Sequence, residues 1–217
     1  MKLTLYYAPV TCAMVPYINL VEVGADFDVV PINVLGGQQR SPEYAALNAK
    51  RKVPVLVIDG EALTENVAIN IWIARTFPAA RLLPADSMQE MKAISLLAWC
   101  ASGIHPALTP NAVPTRFCEA PGSEDSVKAC SQRLLDESFG LADRMLEGRT
   151  FFFDHYTAVD AYFFWTFLRA TRFEPKHLDL AKFTSCQAHL ARMKQRPSVQ
   201  RLLGFEKQTQ DELARRT

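Results

Sequence analysis

The sequence predicts an α/β unit followed by an all-α unit, and three observations carry that prediction. Short β-rich runs alternate with helical ones from residue 1 to about 77. Asp59-Gly60 marks a tight hairpin between two of those runs. Beyond Pro84 every periodic segment is helical. The 217 residues leave room for two small domains or one large one, and a hydrophobic fraction of 49% supplies a core.

Leu3-Thr4-Leu5-Tyr6-Tyr7 reads as a strand, and the loop from Ala8 to Thr11 leads into a helix. That helix carries Ile18, Leu20, Val21 and Val23 and closes at Gly24. Phe27 to Asn33 is a second strand, where Pro31 points to an edge position or a bulge. A loop with Gly36-Gly37 and a short helix from Pro42 to Leu47 follow. Val55 to Ile58 and Glu61 to Leu63 form the hairpin, and Glu65 to Phe77 is helical until Pro78 stops it. The order βαβ, α, ββα predicts a parallel pair with an antiparallel hairpin added, a thioredoxin-like mixed sheet of four strands.

The second half is a helical bundle. Ser87-Met88-Gln89-Glu90 has the pattern of a capping box and opens a helix running through Trp99 towards His105. Pro106, Pro110, Pro114 and Pro121 punctuate a looser stretch before a long helix from about Ser123 to Leu146. Thr157-Ala158-Val159-Asp160 caps another helix, apolar nearly all round to Leu168, which is expected inside the bundle. Helices near Leu180 to Lys194 and from Pro197 finish the chain. The expected domains are therefore 1–78, a linker at 79–86, and an all-helical domain at 87–217.

A net charge of +1 without a long run of Lys and Arg argues against nucleic-acid binding. No run approaches the roughly 18 apolar residues of a membrane span. The first seven residues lack the features of a secretory signal. Cys12, Cys100, Cys118, Cys130 and Cys186 are odd in number and scattered, with no redox-dithiol or zinc-knuckle spacing. A reduced, cytoplasmic protein is expected, with no bound metal.

The segment from Lys50 to Asn66 carries the most chemistry. Three cations, Lys50-Arg51-Lys52, precede Val53-Pro54 and an apolar strand; Glu65-Asn66 then open a helix. A helix N-terminus attracts a carboxylate, and Glu65 can pair with an amino group. Together these parts suit a small zwitterionic peptide with carboxylates at both ends. Cys12, after the first strand, is either a monothiol centre favoured by a helix N-terminus or a buried, inert cysteine. His105 shares a helix face with Ala98, Ala101 and Ser102, so it either meets a ligand there or is structural.

Over essentially its whole length the chain resembles the cytosolic glutathione transferase superfamily. The matching residues are Val53-Pro54-Val55-Leu56, Leu63-Thr64-Glu65-Asn66-Val67-Ala68-Ile69 and Thr157-Ala158-Val159-Asp160-Ala161-Tyr162. Tyr6 to Pro16, with Cys12 inside it, and Ser102-Gly103-Ile104-His105 look like the bacterial beta class. The chain differs from that class at Val10, where glycine is usual, at Lys52, where glutamine is common, at Asn66, where serine or glycine is usual, and at Pro106, where lysine is common.

The resemblance implies a cis Val53-Pro54 bond that presents the Val53 N–H and C=O to the cysteinyl unit of glutathione. Glu65 would take the α-amino group, and the Asn66 side chain and N–H the adjacent carboxylate; Lys52 would steer the glycyl carboxylate. Cys12 would form a mixed disulfide with glutathione or assist its thiol, with Thr11 and Tyr7 as fallback hydroxyl donors and His105 as a proton shuttle. Glutathione is then a cosubstrate, the partner a small hydrophobic electrophile or a disulfide, and the assembly a homodimer. Conjugation and thiol–disulfide exchange both fit. A transferase-like binding or regulatory protein with little catalysis is the alternative, and a lyase, isomerase or dehalogenase on the same scaffold a third.

Overall fold

A computed structural model describes residues 1–214. They divide into two compact units, the first made of 1–83 together with 195–214, the second of 84–194. The sequence-derived division placed 87–217 in the helical domain, whereas here 195–214 join the first unit. The reason is aromatic packing: Phe205 lies edge-on to Tyr7 at 5.5 Å and stacks on Tyr17 at 5.3 Å.

In unit 1, β1 (Leu3–Tyr7), α1 (Met14–Glu22) and β2 (Asp28–Pro31) form the parallel crossover. A one-turn segment at Gln38–Arg40, then α2 (Pro42–Leu47), lead to the hairpin of β3 (Val55–Ile58) and β4 (Glu61–Thr64), and α3 (Asn66–Thr76) follows. The sheet order is β2-β1-β3-β4, with β3 antiparallel to both neighbours. Pro31 sits in an edge strand, where a missing N–H costs no ladder bond. Alternation along β1 buries Leu3, Leu5 and Tyr7 on one face. Tyr6 turns to the other face, where it meets Tyr44 of α2. This is the mixed four-stranded thioredoxin-like sheet expected.

Unit 2 is helical: α4 (Ser87–Trp99), α5 (His105–Ala112), α6 (Glu124–Leu146), α7 (Ala158–Ala170) and α8 (Thr184–Lys194). Asp86, one residue before the predicted box, caps α4 by accepting the Gln89 N–H at 2.9 Å. Pro106 and Pro110 do not loosen the chain; α5 runs through both. The helix adapts upstream instead, by a π-turn at Cys100–Ile104. Pro106 has no N–H for the carbonyl four residues back, and the wider turn accommodates that loss.

Every residue from Ala158 to Leu168 is buried, as the all-round apolar pattern predicts. The Thr157–Asp160 capping box is present, and Asp160 also accepts from the Phe152 N–H and lies 3.1 Å from His189 Nε2. The final helix, α9 (Pro197–Ala214), belongs to unit 1. Its start is fixed by Glu22 of α1, whose carboxylate takes a two-pronged bond from Arg196 (2.8 and 2.7 Å) and another from the Ser198 hydroxyl. Among the described residues no helix is long and apolar enough to cross a membrane, and no cluster of His, Cys, Asp or Glu could hold a metal ion.

Candidate active site

Unit 1 brings the loop before α1, the start of β3 and the start of α3 together around Cys12. The Cys12 thiol donates to the Val53 carbonyl at 3.6 Å. Val53-Pro54 is a cis bond. The Lys52 carbonyl one residue earlier accepts from the Tyr44 hydroxyl and the Asn48 amide, both at 2.8 Å. Those two bonds tie the approach to β3 onto α2.

Cys12 is 8% exposed. Burial pushes its thiol pKa up to about 12, against the opposing pull of Asn66, the local backbone and the Lys52 cation. Loss of water outweighs the favourable neighbours, which disfavours the thiolate and weighs towards the buried cysteine of the two readings.

The Asn66 side chain turns inward. It is buried, donating to the Cys12 carbonyl at 2.8 Å and accepting from Asn70 at 3.0 Å. Asn70 accepts in turn from Asn19 of α1 at 2.6 Å. This amide relay fastens the Cys12 backbone to α3 and α1, while the Asn66 N–H lies in the first turn of α3, where helix N–H groups have no intrahelical partner.

Glu65 holds a left-handed φ of 73° before α3 and makes no side-chain cap. Its carboxylate pairs with Lys50, whose ammonium also donates to Thr64 Oγ1 at 2.9 Å. The run of three cations could not say which one meets the acidic residue. The backbone does, because Arg51 also adopts positive φ (55°) and so splits the run.

Both fallback hydroxyls are engaged elsewhere or buried. The Thr11 hydroxyl donates to the Ala8 carbonyl at 2.7 Å and accepts weakly from the Ala13 N–H, which shapes the loop. Tyr7 is fully buried between the rings of Tyr17 and Phe205. His105 belongs to unit 2, at the start of α5, where Nδ1 lies 3.3 Å from the Tyr162 hydroxyl and the ring packs edge-on against Trp165 at 4.5 Å. A cavity of about 620 Å³ in unit 2, bordered by Gln132, Phe173 and His177, contains none of the expected site residues.

One residue near Cys12 escaped the sequence reading. Glu206 of α9 accepts the Val10 N–H at 2.6 Å. Its signal is visible in hindsight: Val199, Leu202, Glu206 and Thr209 follow the spacing of a buried helix stripe, and a carboxylate on such a stripe needs a partner.

Residues 1–75 match the family described as "Glutathione S-transferase, N-terminal domain". The chain is 30% identical over 206 residues to glutathione S-transferase GstA of Escherichia coli O157:H7, covering 93% of this chain and 98% of that one. The chain belongs to the glutathione S-transferase family. A sphingomonad glutathione S-transferase complexed with glutathione superposes with a TM-score of 0.82, and the bacterial beta class enzyme of Sphingomonas chungbukensis with 0.81. Each is 29% identical and matches 94% of this chain and 98% of its own. Maleylacetoacetate isomerase of Rhizobium meliloti is 32% identical over 124 residues, 57% of this chain and 58% of that one. The chain is accordingly a glutathione transferase, similar to the beta class enzymes.

Proposed function

We propose that the enzyme conjugates glutathione to a small apolar electrophile, with Cys12 acting as a neutral hydrogen-bond donor to the glutathione sulfur. The observation that carries this reading is the buried Cys12 thiol, raised to about 12 and resting on the Val53 carbonyl. With so little thiolate at neutral pH, attack by Cys12 on a disulfide is slow, whereas donation of its proton is available at once.

The cysteinyl unit of glutathione would form one ladder rung with the N–H and C=O of Val53. Its N–H takes over the carbonyl on which the Cys12 thiol rests, and the thiol turns to the ligand sulfur. Glu65 receives the α-ammonium in exchange for Lys50, and the Asn66 N–H with the α3 N-terminus holds the neighbouring carboxylate. Lys52 and the released Lys50 supply positive charge for the glycyl carboxylate. Glutathione, its thiol proton released to solvent water, then attacks the electrophilic carbon as the thiolate, its electron pair forming the C–S bond as the leaving group departs with the displaced pair. A homodimer is part of the proposal, and elution at twice the mass of one chain in analytical sizing is the expected result.

Two measurements test the chemistry. Cys12→Ala removes one hydrogen bond to a charged sulfur and is expected to lower kcat/KM for a generic aryl halide roughly tenfold, with Cys12→Ser keeping most of it. Incubation with glutathione disulfide at pH 7, mapped by mass spectrometry, should leave Cys12 largely unmodified. Rapid stoichiometric labelling of Cys12, lost in Cys12→Ala, would replace conjugation by thiol–disulfide exchange. Isomerisation is a second reading, supported by the likeness to the Rhizobium meliloti isomerase, and turnover of maleylacetoacetate decides it.

A further inference from the structure

Lys50 stands at the carboxylate that the conjugation reading gives to the α-ammonium of glutathione. Its ammonium pairs with Glu65 and also donates to Thr64 Oγ1 at 2.9 Å. Two acceptors on one ammonium make a small ammonium site, and a side chain of the protein itself fills it. Both partners are more than half exposed, and many exposed pairs are no more than solvated neighbours.

What separates Lys50 from a stray surface cation is the way its backbone is held. Asn48, 4% exposed, accepts the Lys50 N–H on Oδ1 at 3.0 Å and donates from Nδ2 to the Lys52 carbonyl at 2.8 Å. The Asn48 carbonyl accepts the Arg51 N–H at 2.8 Å. One buried residue thus fixes the turn from 48 to 52, within which Arg51 takes its positive φ of 55°. The receiving end is fixed as well. Thr64 pairs with Val55 in the sheet, and Glu65 holds its φ of 73° directly after it. The contact is anchored through the backbone on both sides.

We infer that Lys50 is a specificity-determining residue: it stands in for the ammonium of the thiol peptide, so the enzyme also takes thiol peptides that lack this group. The inference rests on the conjugation reading for its ligand. Glutathione must displace Lys50 from Glu65 before its own ammonium pairs there, because two ammoniums at one carboxylate repel each other. The pair gained replaces the pair lost, and the ammonium of glutathione adds little to binding. A peptide without it leaves Lys50 in place and Glu65 neutralised. The substrate class widens from γ-glutamyl thiols to their deaminated counterparts.

The probe is glutaryl-cysteinylglycine, which is glutathione with hydrogen in place of the α-ammonium. Calorimetry measures binding of both peptides to the full-length parent enzyme, Lys50→Ala and Lys50→Ala/Glu65→Gln. The parent should bind the two within about threefold of each other and conjugate both to an aryl halide with kcat/KM within about threefold. Lys50→Ala should bind glutathione about two- to fivefold tighter, the range of an exposed ion pair. Its preference for glutathione over the probe should exceed that of the parent at least about fivefold. The double variant should lose that added preference, because the carboxylate that reads the ammonium is gone.

A cation that merely attracts the peptide carboxylates predicts the opposite sign. Its removal weakens glutathione binding, and the added preference survives in the double variant; either result overturns the inference. So does unchanged glutathione binding by Lys50→Ala, or a parent enzyme that rejects the probe by more than about threefold. Glutathione binding without a response to Lys50→Ala leaves the conjugation reading standing and removes only the role of Lys50. Binding of neither peptide by any of the three proteins overturns the glutathione reading, and this inference with it.

Discussion

At Cys12, proximity to a helix start and to a lysine would favour a thiolate, and burial overrides both. With the pKa raised from 9.0 to about 12, the thiolate fraction grows about tenfold per pH unit throughout the neutral and mildly alkaline range. Alkylation of Cys12 in the free enzyme should therefore accelerate about tenfold per unit from pH 7 to pH 10 without levelling, read by peptide mass spectrometry. Levelling below pH 9 would show an activated thiol and revive disulfide exchange. The position of this cysteine was legible in the sequence, since a strand, a loop and a helix place it unambiguously. Its protonation state was not, because Val53 and Asn66 lie 41 and 54 residues away and only the folded sheet brings them to it. The same holds for Asn66: local sequence reads it as a ligand-facing helix start, whereas Asn70 and Asn19 turn its amide inwards.

Single elements were read well where one periodicity dominates. The apolar run of α7 and its Thr157–Asp160 box appear as expected, because capping chemistry and burial act over a few residues. Asp160 does more than cap: its two oxygens serve Thr157, Phe152 and His189 together. Asp160→Ala strands those buried donors as well as removing the cap. A loss of about 3 kcal/mol is expected in urea unfolding, larger than for a cap alone. A loss below about 1 kcal/mol would mean that water replaces the carboxylate. The α4–α5 region was harder to read. Its prolines forecast a break, but the chain absorbs them through the π-turn at Cys100–Ile104, a backbone adjustment with no side-chain signature.

At the scale of the whole molecule, the unit that carries Cys12 is discontinuous in sequence, built from residues 1–83 and 195–214 with the residues of unit 2 between them in the chain. Helix periodicity could not reveal this, since the apolar stripe of α9 reads the same whichever partner receives it. A fragment ending at Leu83 keeps the sheet, α1 and α3 but lacks the partner ring for Tyr7 and Tyr17 and the carboxylate for Val10. It should unfold without a sharp transition in urea, and fusing residues 195–217 to it through a flexible linker should restore cooperativity; a fragment that melts sharply alone would contradict the dependence on α9. The arrangement also orders events during synthesis. Unit 2 leaves the ribosome with all of its own residues, whereas the first sheet waits for the last 18-residue helix to emerge. Premature termination within that helix would thus release a chain whose helical bundle is complete but whose thiol centre never closes.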